Sequence, residues 1–177
     1  TMGTWRQDPK MSGGGQLIDS ASHLFDMILW TTGLEPIEVS AFTNNLETSV
    51  DIDSSINIRF RNNAQASIGI IGNSPIWEEN IGIWGEKGVI FYKNGRLEYL
   101  LFKEGEGQRQ AYSSGRQADT RIEPLKLPKG SDPNRNFINT ILGREENESP
   151  PRDGLRVIKL TEAIWESSRK GEITKVD

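Results

Sequence analysis

The 177 residues contain one histidine, His23, standing four positions after Asp19 and three before Asp26. If residues 16 to 31 are helical, at about 100° per residue Asp19, His23, Asp26 and Trp30 share one narrow stripe. Leu17, Ala21, Leu24 and Ile28 fall almost opposite, with Ile18, Phe25 and Leu29 beside them. That apolar arc is the one such a helix buries. The acidic, imidazole and indole groups therefore point away from the core.

Four chemistries fit this stripe. A surface Asp–His pair contributes only about a few tenths of a kcal/mol. A histidine with two carboxylates has the donors for a divalent ion, although one imidazole and no visible supporting pattern make a poor site. A hydrolytic triad needs a serine at a sharp turn, whereas Ser20 and Ser22 sit within the helix. General acid–base catalysis needs a group that titrates near neutrality, and histidine is that group. A carboxylate one turn earlier then steadies the imidazolium form or holds substrate oxygens.

These side chains need elements to position them. Gly13-Gly14-Gly15 reads as a flexible entry that lets backbone and ligand approach closely. It is not a dinucleotide fingerprint, because the glycine spacing, the preceding strand and the later acidic residue are all missing. Gly33 and Pro36 stop the helix. Ile37 to Leu46 is strand-like, and Ile52 to Phe60 alternates with period two before the Arg61-Asn62-Asn63 turn returns Ala64 to Ile71 as its partner. Glu79 to Trp84, Gly88 to Tyr92 and Leu97 to Phe102 follow, joined by Gly85-Glu86-Lys87-Gly88 and by the hairpin dipeptide Asn94-Gly95. Lys103 to Gln117 reads as a mobile loop, with a short strand near Arg121 to Leu125. Asp132-Pro133 opens a helix bearing Phe137, Ile138, Ile141 and Leu142. Asp153 is expected to cap the last helix, whose apolar face is Leu155, Val157, Ile158, Leu160, Ile164 and Trp165.

Grouped strands and segregated helices predict an α+β fold, a mostly antiparallel open-faced sheet of about six strands with helices on one face. Ala66, Ile68 and Ile70, or their alternates, are expected to leave the other face apolar enough to meet a second subunit. One domain, residues 1–177, suits this length. With 26% charged and 34% hydrophobic residues the balance is that of a globular chain, and the net charge of -4 argues against a nucleic-acid role. Leu24 to Trp30 is too short to span a bilayer, and Thr1 to Met11 is polar, unlike a secretory leader. The absence of cysteine excludes disulfides and thiolate sites, and a cytoplasmic location is expected.

Read together, Trp5-Arg6-Gln7-Asp8-Pro9, Ser12-Gly13-Gly14-Gly15-Gln16-Leu17-Ile18-Asp19, His23, Asp26, Trp30 and Gly33 resemble the start of the C-terminal domain of the Gfo/Idh/MocA oxidoreductases. Asp153-Gly154-Leu155 through Glu162-Ala163-Ile164-Trp165-Glu166-Ser167 and Gly171 resemble that family's last helix. The resemblance implies a substrate-binding and oligomerisation domain whose Rossmann partner lies outside these residues. It implies NAD or NADP in the full-length enzyme, none bound to this domain alone, and a sugar, polyol or related hydroxyl substrate. By the same resemblance His23 transfers the proton, Asp19 neighbours it at the reacting hydroxyl, and Asp26 and Arg6 lie near the substrate. A lysine of a Glu-Lys-Pro motif normally completes the trio; Glu86-Lys87-Gly88 here is no substitute, and the chain alone is expected to be inactive. Homo-oligomerisation through the open sheet face is implied too. Ala21 stands where the family often has glycine. The alternatives are a non-redox relative, a sugar-sensing regulator or NAD-dependent glycosidase, or a stand-alone dimerisation domain.

Overall fold

The computed structural model describes residues 4–101, 123–124 and 130–177. It is α+β, with antiparallel strands throughout. The strands divide between two four-stranded sheets, and the chain divides into two compact units, Thr1–Ser74 with Asn136–Asp177, and Pro75–Arg135.

The first unit opens with a 3-10 turn, Trp5–Gln7, and a one-turn helix α1, Pro9–Ser12, capped by Asp8 through the Lys10 N–H. Helix α2 covers Ser20–Thr32. It starts later than residue 16 because Asp19 (φ -80°, ψ -90°) lies outside the helical region. Gly33 ends it in the left-handed conformation. Strands β1 (Pro36–Asn44), β2 (Asp53–Phe60) and β3 (Gln65–Ile71) then form a meander, and a two-residue strand at Thr174–Lys175 joins the outer side of β1.

The long C-terminal helix, Pro151–Lys170, packs across this sheet beside α2. Its start corrects one expectation. Pro150 is the cap residue, and Asp153 sits inside the first turn, where its charge meets the helix N-terminus and Arg156. Of its expected apolar face, Val157, Leu160 and Ile164 are buried, whereas Leu155 and Ile158 are exposed. Thr161, Ala163 and Ser167 complete the buried side. The Ser167 and Ser168 hydroxyls accept the Ala41 and Thr43 N–H groups, so this helix also caps the edge of β1.

Leu17, Phe25, Leu29, Val39, Ile56, Ile58 and Phe60 form the core with the C-terminal helix, and Ala66, Ile68 and Ile70 pack against it. Of the two sides left open for β3, Ala66, Ile68 and Ile70 thus take the covered one, and their alternates face outward. Alternation splits a strand into two faces but does not say which one the helices cover. The face away from the helices carries Ser40, Ser55, Asn57 and Ser67, with Phe42 and Ile71 exposed among them.

The second unit is a meander of β4 (Asn80–Gly85), β5 (Gly88–Lys93) and β6 (Arg96–Leu101), with the two-residue β7, Glu123–Pro124, on its edge. Asn94 and Gly95 both take positive φ, the geometry a tight hairpin needs. The Trp84 ring lies over Gly82, where a Cβ would stand 2.4 Å from the ring, and meets Phe91 edge-on at 5.6 Å. Helix α3, Pro133–Ile141, follows, with the Asp132 carboxylate accepting from Asn134 and Arg135. Its Phe137, Ile138 and Ile141 are exposed. The expected loop at 103–117 lies outside the described residues, as do 121, 122 and 125 of the expected short strand.

Candidate functional site

Helix α2 buries Ala21, Phe25 and Leu29 and exposes His23, Asp26 and Trp30. The cause is its period: side chains one turn apart share a face, so the residues that leave the core leave it together. Asp19, at the helix start, is half-exposed and points to the 3-10 turn rather than along the helix. Its Oδ2 accepts the Arg6 Nε–H at 3.1 Å. The Arg6 guanidinium also stands 4.6 Å from the centre of the Trp5 ring.

The structure thus joins two of the four expected site residues, Arg6 and Asp19, and sets His23 and Asp26 on successive turns of the same helix. The His23 imidazole has no hydrogen bond or ion pair among the described residues. Beside the Arg6–Asp19 pair is an open cavity of about 130 Å³, lined by Trp5, Gln7, Ser12, Gln16 and Ile18 among others. Its walls mix an indole, amides and a hydroxyl, a set suited to a small polar molecule.

The glycine triplet corrects a further expectation. Gly13 is open and left-handed, but Gly14 and Gly15 are closely packed rather than a flexible entry: a Cβ at Gly15 would lie 1.9 Å from the Asp51 carbonyl oxygen, and one at Gly14 would lie 2.6 Å from the Trp165 ring. Asp51 was missing from the sequence reading. It is buried, and its carboxylate accepts from the Gly15 N–H at 3.1 Å, the Leu17 N–H at 2.7 Å and the Trp165 Nε1–H at 2.9 Å. No local signal marks it, since those partners lie 36, 34 and 114 residues away.

The same bonds bear on a dinucleotide. A phosphate-holding loop offers free N–H groups after a strand. Here the segment follows a one-turn helix, and the Gly15, Gln16 and Leu17 N–H groups are already given to Asp51. The residues present do not fit a nicotinamide dinucleotide at this loop. Nor does any group of three His, Cys, Asp or Glu among the described residues gather to hold a metal ion.

The model of the oxidoreductase family C-terminal alpha/beta domain matches residues 1–177. The chain belongs to the Gfo/Idh/MocA oxidoreductase family. Within it, the chain is 25% identical to a myo-inositol 2-dehydrogenase of Thermotoga maritima over 93% of its own length and 50% of that protein's. The WlbA dehydrogenase of Bordetella pertussis, solved with NADH and UDP-GlcNAcA, is similar at 25% identity and a TM-score of 0.68 over 93% of this chain and 46% of that one. An aldose–aldose oxidoreductase of Caulobacter crescentus, solved with glycerol, shares the fold at 20% identity and a TM-score of 0.77, over 98% and 51% of the two chains. The chain spans about half the length of these Gfo/Idh/MocA relatives. No helix among its described residues is long and apolar enough to cross a membrane.

Proposed function

We propose that residues 1–177 are the substrate-binding half of an NAD(P)-dependent oxidoreductase that oxidises or reduces a hydroxyl or carbonyl of a sugar, polyol or related small molecule. The observation that carries this reading is the exposed edge of α2, where His23 and Asp26 leave the core together and Asp19 meets Arg6 beside a cavity. In it, His23 takes the proton from the substrate hydroxyl as the carbonyl forms, and returns it in the reverse direction. Asp19 and Asp26 accept hydrogen bonds from neighbouring hydroxyls, and Arg6 donates to a substrate oxygen. Redox capacity comes from the nicotinamide, NAD or NADP, in a Rossmann half outside residues 1–177. The chain by itself is then inactive, and its setting is cytoplasmic.

The test is His23→Ala in the longer protein. Turnover falls roughly 100-fold or more while nucleotide affinity is retained. Near-normal turnover in that variant rejects the role. The open face of the first sheet, with Phe42 75% and Ile71 65% exposed, is proposed as a contact between two copies. Light scattering then finds a dimer or larger species, and a clean monomer at micromolar concentration removes that contact.

A further inference from the structure

We propose that Asp51 is a positioning residue for the Asp19 end of α2, a role that rests on the functional reading above. Asp51 stands at the approach to β2 and is 6% exposed, with no ion pair among the described residues. Its carbonyl accepts the Gln16 N–H at 2.9 Å while its carboxylate takes the N–H groups on either side, Gly15 and Leu17. One residue therefore consumes three successive backbone donors. The Trp165 indole, itself packed against Gly14, supplies a fourth donor and ties the arrangement to the C-terminal helix.

The connection onward to the site is short. The Gly15 carbonyl accepts the Asp19 N–H at 3.1 Å, and the Gln16 carbonyl accepts the Ala21 N–H at 2.9 Å. Gly15 thus takes its place from Asp51 and passes it to Asp19, whose carboxylate meets Arg6. Glycine is required at position 15 because any side chain would enter the Asp51 backbone. A buried carboxylate satisfied only by N–H donors holds its neighbours in one geometry, since charge-assisted bonds are short and directional. Asparagine at 51 has the same shape but loses the charge and turns an N–H₂ group on one donor.

The test uses NMR of this chain, with Asp51→Asn set against Val157→Ala, a core change of comparable destabilisation away from the glycine segment. In Asp51→Asn the Trp165 indole N–H loses protection, and the Arg6 Nε–H exchanges with solvent about tenfold faster as its hold on Asp19 loosens. Val157→Ala leaves the Arg6 signal unchanged. If Asp51→Asn does not fold, Trp165→Phe carries the test, keeping a ring against Gly14 while dropping the indole donor, with a smaller shift in the same direction. An Arg6 signal unaltered although the indole bond is gone overturns the proposal, as does an Arg6 signal that moves equally in Val157→Ala. In the longer protein, Asp51→Asn lowers kcat with nucleotide affinity unchanged; equal loss of both overturns it. Because the NMR arm needs no turnover, a normal-turnover His23→Ala would remove the catalytic reading while leaving the Asp51 linkage standing.

Discussion

The two sheets are built from similar strands and end in different states. In the first, β2 alternates buried Ser54, Ile56, Ile58 and Phe60 with outward-facing Ser55, Asn57 and Arg59, because among the described residues helices cover one of its faces. In the second, apolar residues lie on both faces: Ile81, Ile83, Ile90 and Tyr99 on one, Trp84, Val89, Phe91 and Leu100 on the other. Among the described residues only Val89 of that sheet is buried, and Trp84 stays 66% exposed. A sheet acquires a core from what is laid on it, and sequence alternation does not supply that layer. The first unit should therefore carry most of the stability.

The largest expected effect tests that difference directly. Phe60→Ala, at 2% exposure, should cost about 3–5 kcal/mol in urea unfolding of this chain. Ile90→Ala, at 42% exposure, should cost about 1 kcal/mol or less. Equal losses would break the comparison. The smallest effect concerns the rim of the first sheet. Arg61 donates two hydrogen bonds to Glu35, each 2.6 Å, and these hold its carboxyl below the ordinary value of 4.5. A carboxylate with a lowered value stabilises the fold above its unfolded value, and loses that contribution as pH falls through the folded one. The pair is solvent-exposed, so the contribution is small. In Arg61→Ala the Glu35 titration, followed by carbon NMR, should move up into the usual range; a midpoint that stays put would show the pair to be inert.

Local pattern made much of this legible. The strands of both meanders sit within a residue or two of where alternation and turn dipeptides put them, and the exposed edge of α2 follows from its period alone. What escaped was everything set by distant partners. The Asp19–His23 spacing suggested a pair, yet Asp19 turns to Arg6, 13 residues earlier. Asp51 gave no sign because its role is defined by N–H groups of another segment and by an indole on the last helix. The covered side of β3 is undecided in the sequence for the same reason: the helices that decide it lie elsewhere in the chain.

Strand β3 has one further consequence. Its outer edge has no neighbour among the described residues, and Gln65 to Ile71 contains neither lysine nor proline. Such an edge is a template on which partly unfolded copies stack into fibrous aggregates. Gly69, across from Ser55 on the open face, offers the place for a gatekeeper: a Cβ there meets nothing within 4 Å, so a lysine would charge the edge without disturbing the helix-covered side, at the cost of a charge in the proposed contact between copies.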